Sequence, residues 1–295
     1  MKADLSAGGP ALSRIVAGAW RWKLETTEIE RLIYTALDAG ISSFDHADIY
    51  GDYANEERFG KILRGNPSLR NRMELITKCG IKLVSAARPE HRVKHYDTSK
   101  EHILRSVENS LKNLSTDRLD LLLIHRPDPL MHPEEVAEAF RLLKDQGKVL
   151  WFGVSNFSAA QFEMLQAYVP VRLVTNQVEI SLFNPVKMVD GTVDALIKHR
   201  VSPLAWSPLG GGKYFTASGQ AETIEMKLEG FASNYNCTVS QLLLAWLLRH
   251  PANIFPILGT TNPDRVKEGA GAIHIKVDRQ DWFAMLKAVT GKDVP

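Results

Sequence analysis

The chain has little sulfur with which to cross-link itself. Its two cysteines, Cys79 and Cys237, can form neither a disulfide framework nor a cysteine-rich zinc site. Nor is there a surplus of charge. Thirty-six Lys and Arg stand against 34 Asp and Glu, a formal +2, which gives no reason to expect a nucleic acid or an acidic membrane as partner. No apolar run approaches the roughly 20 residues of a membrane-spanning helix. The first ten residues contain Lys2 and Asp4 and lack the apolar core of a secretory signal. No low-complexity tract, like-charge block or linker-like segment interrupts the sequence. What remains is ordinary globular composition, 44% hydrophobic and 24% charged over 295 residues. It reads as a cytoplasmic protein of enzyme size.

A pattern recurs along the chain: a short apolar run, then a longer stretch with helical spacing. The apolar runs are Ile15–Ala17, Ile41–Phe44, Leu75–Thr77, Leu119–Ile124, Leu150–Val154, Leu173–Val178, Leu204–Trp206 and Ile254–Ile257. Helices are expected over Glu28–Ala39, Glu56–Leu63, Ser99–Leu114, Pro133–Gln146, Ala159–Tyr168, Val189–His199, Ala221–Leu248 and Pro263–Glu268, with a last short one at Asp281–Ala288. Leu104, Val107, Leu111 and Leu114 form one apolar stripe. Pro133 suits a first helical turn, Ser158 an N-cap, and Gly40 and Gly147 helix stops. Runs such as Asp120–Ile124 are apolar after their leading carboxylate rather than alternating, as in a sheet covered on both faces.

Eight β-then-α units in this length predict one (β/α)8 TIM barrel domain over residues 1–295. An open doubly wound sheet would carry a Gly-x-Gly-x-x-Gly turn after its first strand. Here that place holds Gly18-Ala19-Trp20-Arg21-Trp22, too bulky for a pyrophosphate to approach.

In such a barrel the chemistry comes from the C-terminal ends of the strands. Asp45 follows Phe44, Lys78 follows Thr77, and His125 follows Ile124; Tyr50 lies five residues past Asp45. Taken singly, each is an ordinary rim or loop residue. Taken together, and only if the barrel closes, they converge on one small volume. A phenol has a pKa of about 10, and an ammonium beside it lowers that value. A carboxylate would fix the ammonium, and an imidazole could orient a carbonyl oxygen toward the phenol. This set can protonate an oxygen that receives negative charge, but it supplies no hydride, so a cofactor is needed.

These residues and their surroundings resemble the aldo-keto reductase superfamily, and within it the bacterial YdhF-type oxidoreductases. The resemblance rests on Gly40-Ile41-Ser42-Ser43-Phe44-Asp45 through Tyr50-Gly51 with Glu56-Glu57-Arg58-Phe59-Gly60, on Leu122-Leu123-Ile124-His125-Arg126-Pro127-Asp128, on Gly153-Val154-Ser155-Asn156-Phe157, on Asn176-Gln177-Val178-Glu179 and on Trp206-Ser207-Pro208-Leu209-Gly210. These blocks lie in the family's order. The resemblance implies NADPH-dependent reduction of an aldehyde or ketone. Tyr50 would be the general acid, Lys78 would lower its pKa, Asp45 would pair with Lys78, and His125 would position the carbonyl. Ser155, Asn156 and Gln177 would hold the nicotinamide carboxamide, and Trp206 would stack on its ring. Ser207, Pro208, Leu209 and Gly210 would follow the pyrophosphate. Gly259, Thr260 and Thr261 with Arg265 would grip a 2′-phosphate, and Glu268 would reach the adenine. Gly18 would lie beside the cofactor, Trp20 would line the substrate mouth, and Arg21 would touch the cofactor's phosphates. Arg265, just past the helix start at Thr261-Asn262-Pro263, is physically suited to an anion.

His46 departs from the family pattern; by strand alternation it points away from Asp45 and reads as packing or hydrogen bonding. Trp20, Trp22 and Tyr53 either line an aromatic mouth or pack the loops. A metal-dependent barrel hydrolase would need clustered histidine and carboxylate ligands. His46 and His125 are isolated, so no metal is expected. A nucleotide-binding regulatory barrel with little turnover would keep the same four groups and is the alternative. Substrate, direction of reaction and oligomeric state are not legible.

Overall fold

The computed structural model describes residues 1–212 and 220–293; residues 213–219 and 294–295 of the expected domain span lie outside that range. Eight parallel strands close into a barrel: β1 Val16–Gly18, β2 Ser43–Asp45, β3 Glu74–Cys79, β4 Leu119–Ile124, β5 Val149–Ser155, β6 Leu173–Glu179, β7 Leu204–Trp206 and β8 Phe255–Leu258. β8 pairs back onto β1, with Leu258 opposite Ala17, so the barrel has no free edge. Each apolar run of the sequence supplies one strand, within about two residues at each end. The fold is the (β/α)8 barrel.

The helices are α1 Thr26–Asp38, α2 Asn55–Gly65, α3 Lys100–Leu114, α4 Pro133–Asp145, α5 Ala159–Tyr168, α6 Thr192–Lys198, α7 Gln220–Asn234, α8 Val239–Leu248, α9 Pro263–Ala270 and α10 Arg279–Thr290. Ser158 caps α5 in a reciprocal capping box with Gln161. Gly40 and Gly147 take positive φ at helix ends. The single helix expected over Ala221–Leu248 is two. The chain turns at Asn236 (φ 50°), and Thr238 with Gln241 forms a capping box that starts α8. The C-terminal helix is longer than expected, capped by Asp278 and ended by Gly291 in the left-handed region.

Strand alternation divides the core. Ile76, Leu121, Leu123, Val174, Leu204 and Phe255 fill the barrel interior, whereas Leu75, Cys79, Leu122 and Ile124 pack outward against the helices. Lys78 is two residues past Ile76, so it points into the barrel above that apolar fill. The lower end is closed by a hairpin that the apolar pattern did not reveal, Lys2–Asp4 paired with Ala11–Ser13. It inserts Leu5 and Leu12, both fully buried, into the interior cluster. A second small hairpin, Ile81–Lys82 with His95–Tyr96, follows β3 at the upper rim. Among the described residues no helix is long and apolar enough to cross a membrane.

Candidate active site

Three adjacent strands and one turn build the centre. Asp45 ends β2 and lies opposite Ile76 in the register, one layer below Lys78 on β3. The Lys78 side chain is fully buried. Its ammonium lies 2.7 and 2.9 Å from the two Asp45 carboxylate oxygens, 2.7 Å from the His46 carbonyl and 3.0 Å from the Tyr50 hydroxyl. A buried charge needs this saturation of partners. Gln177 on β6 donates from Nε2 to Asp45 at 2.8 Å, closing the network across the barrel.

An ammonium is donor only, so in the Lys78–Tyr50 contact the phenol oxygen accepts. The phenol's own proton is left to point elsewhere. The Tyr50 ring lies edge-on to the His125 imidazole, with centroids 6.0 Å apart and planes at 78°. Tyr50 is held there by a left-handed turn. Gly51, Asp52 and Tyr53 have φ of 61°, 60° and 67°, and a Cβ on Gly51 would lie 1.8 Å from Asn55 Oδ1. Such backbone in non-glycine residues is costly and persists only where neighbours enforce it. Those neighbours are present. The Tyr53 hydroxyl accepts from Leu83 N–H at 2.8 Å, and Asn55 donates to the Ala19 carbonyl at 2.8 Å. The amino-acid pattern gave no sign of these two clamps.

Electrostatics at the centre are set by burial. Burial raises the Tyr50 pKa above the ordinary phenol value, and the Lys78 ammonium opposes this without cancelling it. The expectation that Lys78 brings the phenol below its usual range is therefore corrected for the free protein: the ammonium pulls downward, but desolvation wins. Burial also works against the Lys78 charge, yet Asp45 and Tyr50 hold its pKa above the usual lysine value. His125 is driven well below the usual histidine range, by burial first and then by the positive charges of Lys78, Arg126 and Lys94. It is a neutral imidazole at physiological pH, offering one N–H and one lone pair.

The residues expected at the nicotinamide end form a second connected set. Ser155 Oγ donates to the Gln177 carbonyl at 2.9 Å, and Asn156 Nδ2 donates to Ser155 Oγ at 2.7 Å. The Trp206 indole N–H donates to Asn156 Oδ1 at 3.0 Å, which fixes the ring edge. Asn156 and Ser207 both carry positive φ, 64° and 50°, marking strained strand ends of the kind found at functional sites. Beyond Pro208 and Leu209, Gly210 has φ 64° and abuts Phe183. Arg21 donates to the Gly211 carbonyl at 3.3 Å, tying the first loop to the glycine run. Trp20 is 60% exposed at the rim.

At the far end, Gly259, Thr260 and Thr261 lead from β8 into α9. A Cβ on Gly259 would meet nothing within 4 Å. Arg265 is exposed on the first turns of α9 and has no partner among the described residues. Glu268 is engaged elsewhere, its carboxylate accepting from Thr238 and its carbonyl from Gln241. Gly18 has a steric reason for being glycine, since a Cβ would lie 2.8 Å from Ile257 Cγ2 on the neighbouring strand. Trp22 is buried against Phe44 and Phe59, and Tyr53 is tied to the second hairpin. Of the three aromatics, Trp20 is the one left exposed, in the loop after β1. His46 packs edge-on to Phe59 with both ring nitrogens unpartnered.

Residues 14–289 match the aldo/keto reductase family. The chain belongs to this family. It is 46% identical over 291 residues to the oxidoreductase YdhF of Escherichia coli, covering 97% of both chains. It is 44% identical over 287 residues to a 6-dehydroglucose reductase of Agrobacterium fabrum, covering 96% of both. In three dimensions it is similar to the thermostable aldo-keto reductase Tm1743, solved with the inhibitor epalrestat. That likeness has a TM-score of 0.83 at 26% identity, over 98% of this chain and 99% of that one. Members of this family are oxidoreductases acting on carbonyl and alcohol groups and generally use NAD(P)H, and the buried Asp–Lys–Tyr–His centre is chemically suited to that reaction.

Proposed function

We propose that this chain is an NADPH-dependent reductase that converts an aldehyde or ketone to an alcohol, with Tyr50 as general acid. The single observation that carries the reading is the direction of the Lys78–Tyr50 contact. Because the ammonium donates, the phenol proton is free to face a substrate oxygen. The polar groups around Trp206 fit a flat amide-bearing ring, and the unpaired Arg265 beside the open Gly259–Thr261 loop fits an adenosine phosphate. Bound there, the reduced nicotinamide supplies a hydride to the carbonyl carbon.

The chain's own part is to receive the charge that results. Tyr50 Oη gives its proton to the carbonyl oxygen as the C–O π pair moves onto it. The tyrosinate left behind is stabilised by Lys78 at 3.0 Å and is reprotonated from solvent. Asp45 holds the ammonium in place, and Gln177 holds Asp45. Neutral His125 offers an N–H that orients the carbonyl oxygen without competing as an acid. The reading includes one barrel domain across the chain and a cytoplasmic location.

Tyr50→Phe tests the proposal. Its kcat for reduction of an activated aldehyde should fall by about 10²–10⁴-fold, while the dissociation constant for NADPH changes by less than about threefold. Undiminished turnover would contradict the assigned acid. A bound nucleotide that is oxidised once and never exchanges would favour the alternative, a nucleotide-binding regulatory or redox-sensing barrel with little turnover.

A further inference from the structure

The mouth of the site holds an arginine to which no role has been given. Arg126 follows His125 directly at the end of β4, and its guanidinium carbon lies 5.8 Å from the centre of the Trp206 ring. It is partly withdrawn from solvent. Arg14, Arg58, Arg70, Arg88 and Arg118 are withdrawn to a similar or greater degree, and each donates to an oxygen. Among the described residues Arg126 donates to none. A half-buried cation without an oxygen partner is unfavourable, and an aromatic face compensates it only in part, by about 0.5–2 kcal/mol.

The charge faces the reacting groups. It is among the causes that push both the Tyr50 and the His125 pKa downward. Lys94, exposed on the hairpin beside the rim, adds a second positive charge that reaches His125. Among the described residues, Asp45 is the carboxylate that bears on Tyr50, and it is already engaged by Lys78 and Gln177. The space between Tyr50, His125 and Trp206 is thus bordered by unneutralised positive charge in a chain whose formal charge is only +2.

From the unpartnered Arg126 guanidinium between His125 and Trp206, we infer that the preferred substrates are oxo acids, whose carboxylate is gripped by Arg126 while the carbonyl meets Tyr50 and His125. This inference rests on the reductase reading and adds the substrate class to it. A carboxylate can take two parallel N–H···O bonds from a guanidinium, which fixes the substrate's orientation as well as its affinity. The same cation could instead meet a phosphate of the cofactor, so the test must separate substrate from cofactor.

The measurement is the ratio of kcat/KM for matched acid and neutral aldehydes: 4-carboxybenzaldehyde against methyl 4-formylbenzoate, and 4-oxobutanoate against butanal. The wild-type protein should favour the acid by about 10- to 100-fold, as expected for hydrogen bonds to a charged group. Arg126→Gln should bring that ratio close to one, and Arg126→Lys should retain part of it. A wild-type protein indifferent to the carboxylate, or a ratio unmoved by Arg126→Gln, overturns the inference. So does a weakened NADPH affinity with an unchanged ratio, which would assign the guanidinium to the cofactor's phosphates. If neither aldehyde is reduced by the wild-type protein, the reductase reading has failed separately. Calorimetric titration with butanedioate then decides: binding lost in Arg126→Gln upholds an anion site, and no binding, or equal binding in both proteins, rejects it.

Discussion

At the scale of single residues, this protein's chemistry depends on which side chains are denied water. Tyr50 has its pKa raised and His125 has its pKa lowered, so both are neutral across the physiological range. The phenol carries the proton that reduction consumes, and it loses that proton only above the ordinary tyrosine value of about 10. The imidazole gains a charge only well below about 6.5. The pH profile of kcat/KM for reduction should therefore be level from about pH 6 to 9 and fall only toward about 10 and beyond. A descending limb centred near pH 7 would mean that another group limits the reaction. Arg265 carries a prediction of a different kind. Arg265→Ala should weaken NADPH binding by about 1.5–3 kcal/mol and leave NADH binding nearly unchanged. Equal losses for both nucleotides would remove the 2′-phosphate role.

At the scale of elements, close approach of backbones decides what the sequence tolerates. Gly60 lies in the middle of α2, where a helix former would be expected. A Cβ there would lie 1.9 Å from the Asn113 carbonyl oxygen near the end of α3. Alanine has a helix propensity better by about 1 kcal/mol, yet the clash is with backbone and cannot be relieved by a rotamer change. Gly60→Ala should destabilise the fold by about 2 kcal/mol, read as a lower urea midpoint with an unchanged slope. A stabilised variant would show that α2 and α3 can separate freely. The sequence placed α2, α3 and their apolar stripes, but their crossing distance was not in the stripe. The same holds for the division of the expected Ala221–Leu248 helix. The Thr238–Gln241 capping pair that starts α8 is the sequence sign of that break.

At the scale of the whole molecule, closing the barrel also buries titratable groups to which the chemistry gives no role, His46 among them. His46 sits on the outward side of the chain after β2, against Phe59, with its pKa lowered to about 3 by burial first and the Lys78 charge second. An unfolded chain protonates this imidazole at about pH 6.5, whereas the folded one resists until about 3. Folding is thus favoured above the higher value, and stability is lost as the pH falls through the interval. His46 alone should account for about 2 kcal/mol of destabilisation by pH 5. Denaturant unfolding of the wild type and His46→Leu at pH 7 and pH 5 measures this. The wild type should lose more stability on acidification by about that amount. Equal losses would place the titration elsewhere, for example at the buried His102 and His125.

Residue order by itself determined the eight-unit alternation, and with it the barrel. It also put Asp45, Lys78 and His125 at strand ends, because a two-residue strand period and a parallel closed sheet leave no other place for them. It could not set the balance between desolvation and the Lys78 charge at Tyr50, since that depends on how much water the closed barrel excludes. Nor could it separate the exposed Trp20 from Trp22 in the core, two aromatics only two positions apart in a loop without periodicity. The hairpin that plugs the lower end was equally hidden: Leu5 and Leu12 are isolated apolar residues until the barrel offers an interior to fill. Arg126 was visible beside His125 from the start. That it lacks an oxygen partner is a property of the assembled rim, where every candidate acceptor had to be placed before one could be found missing.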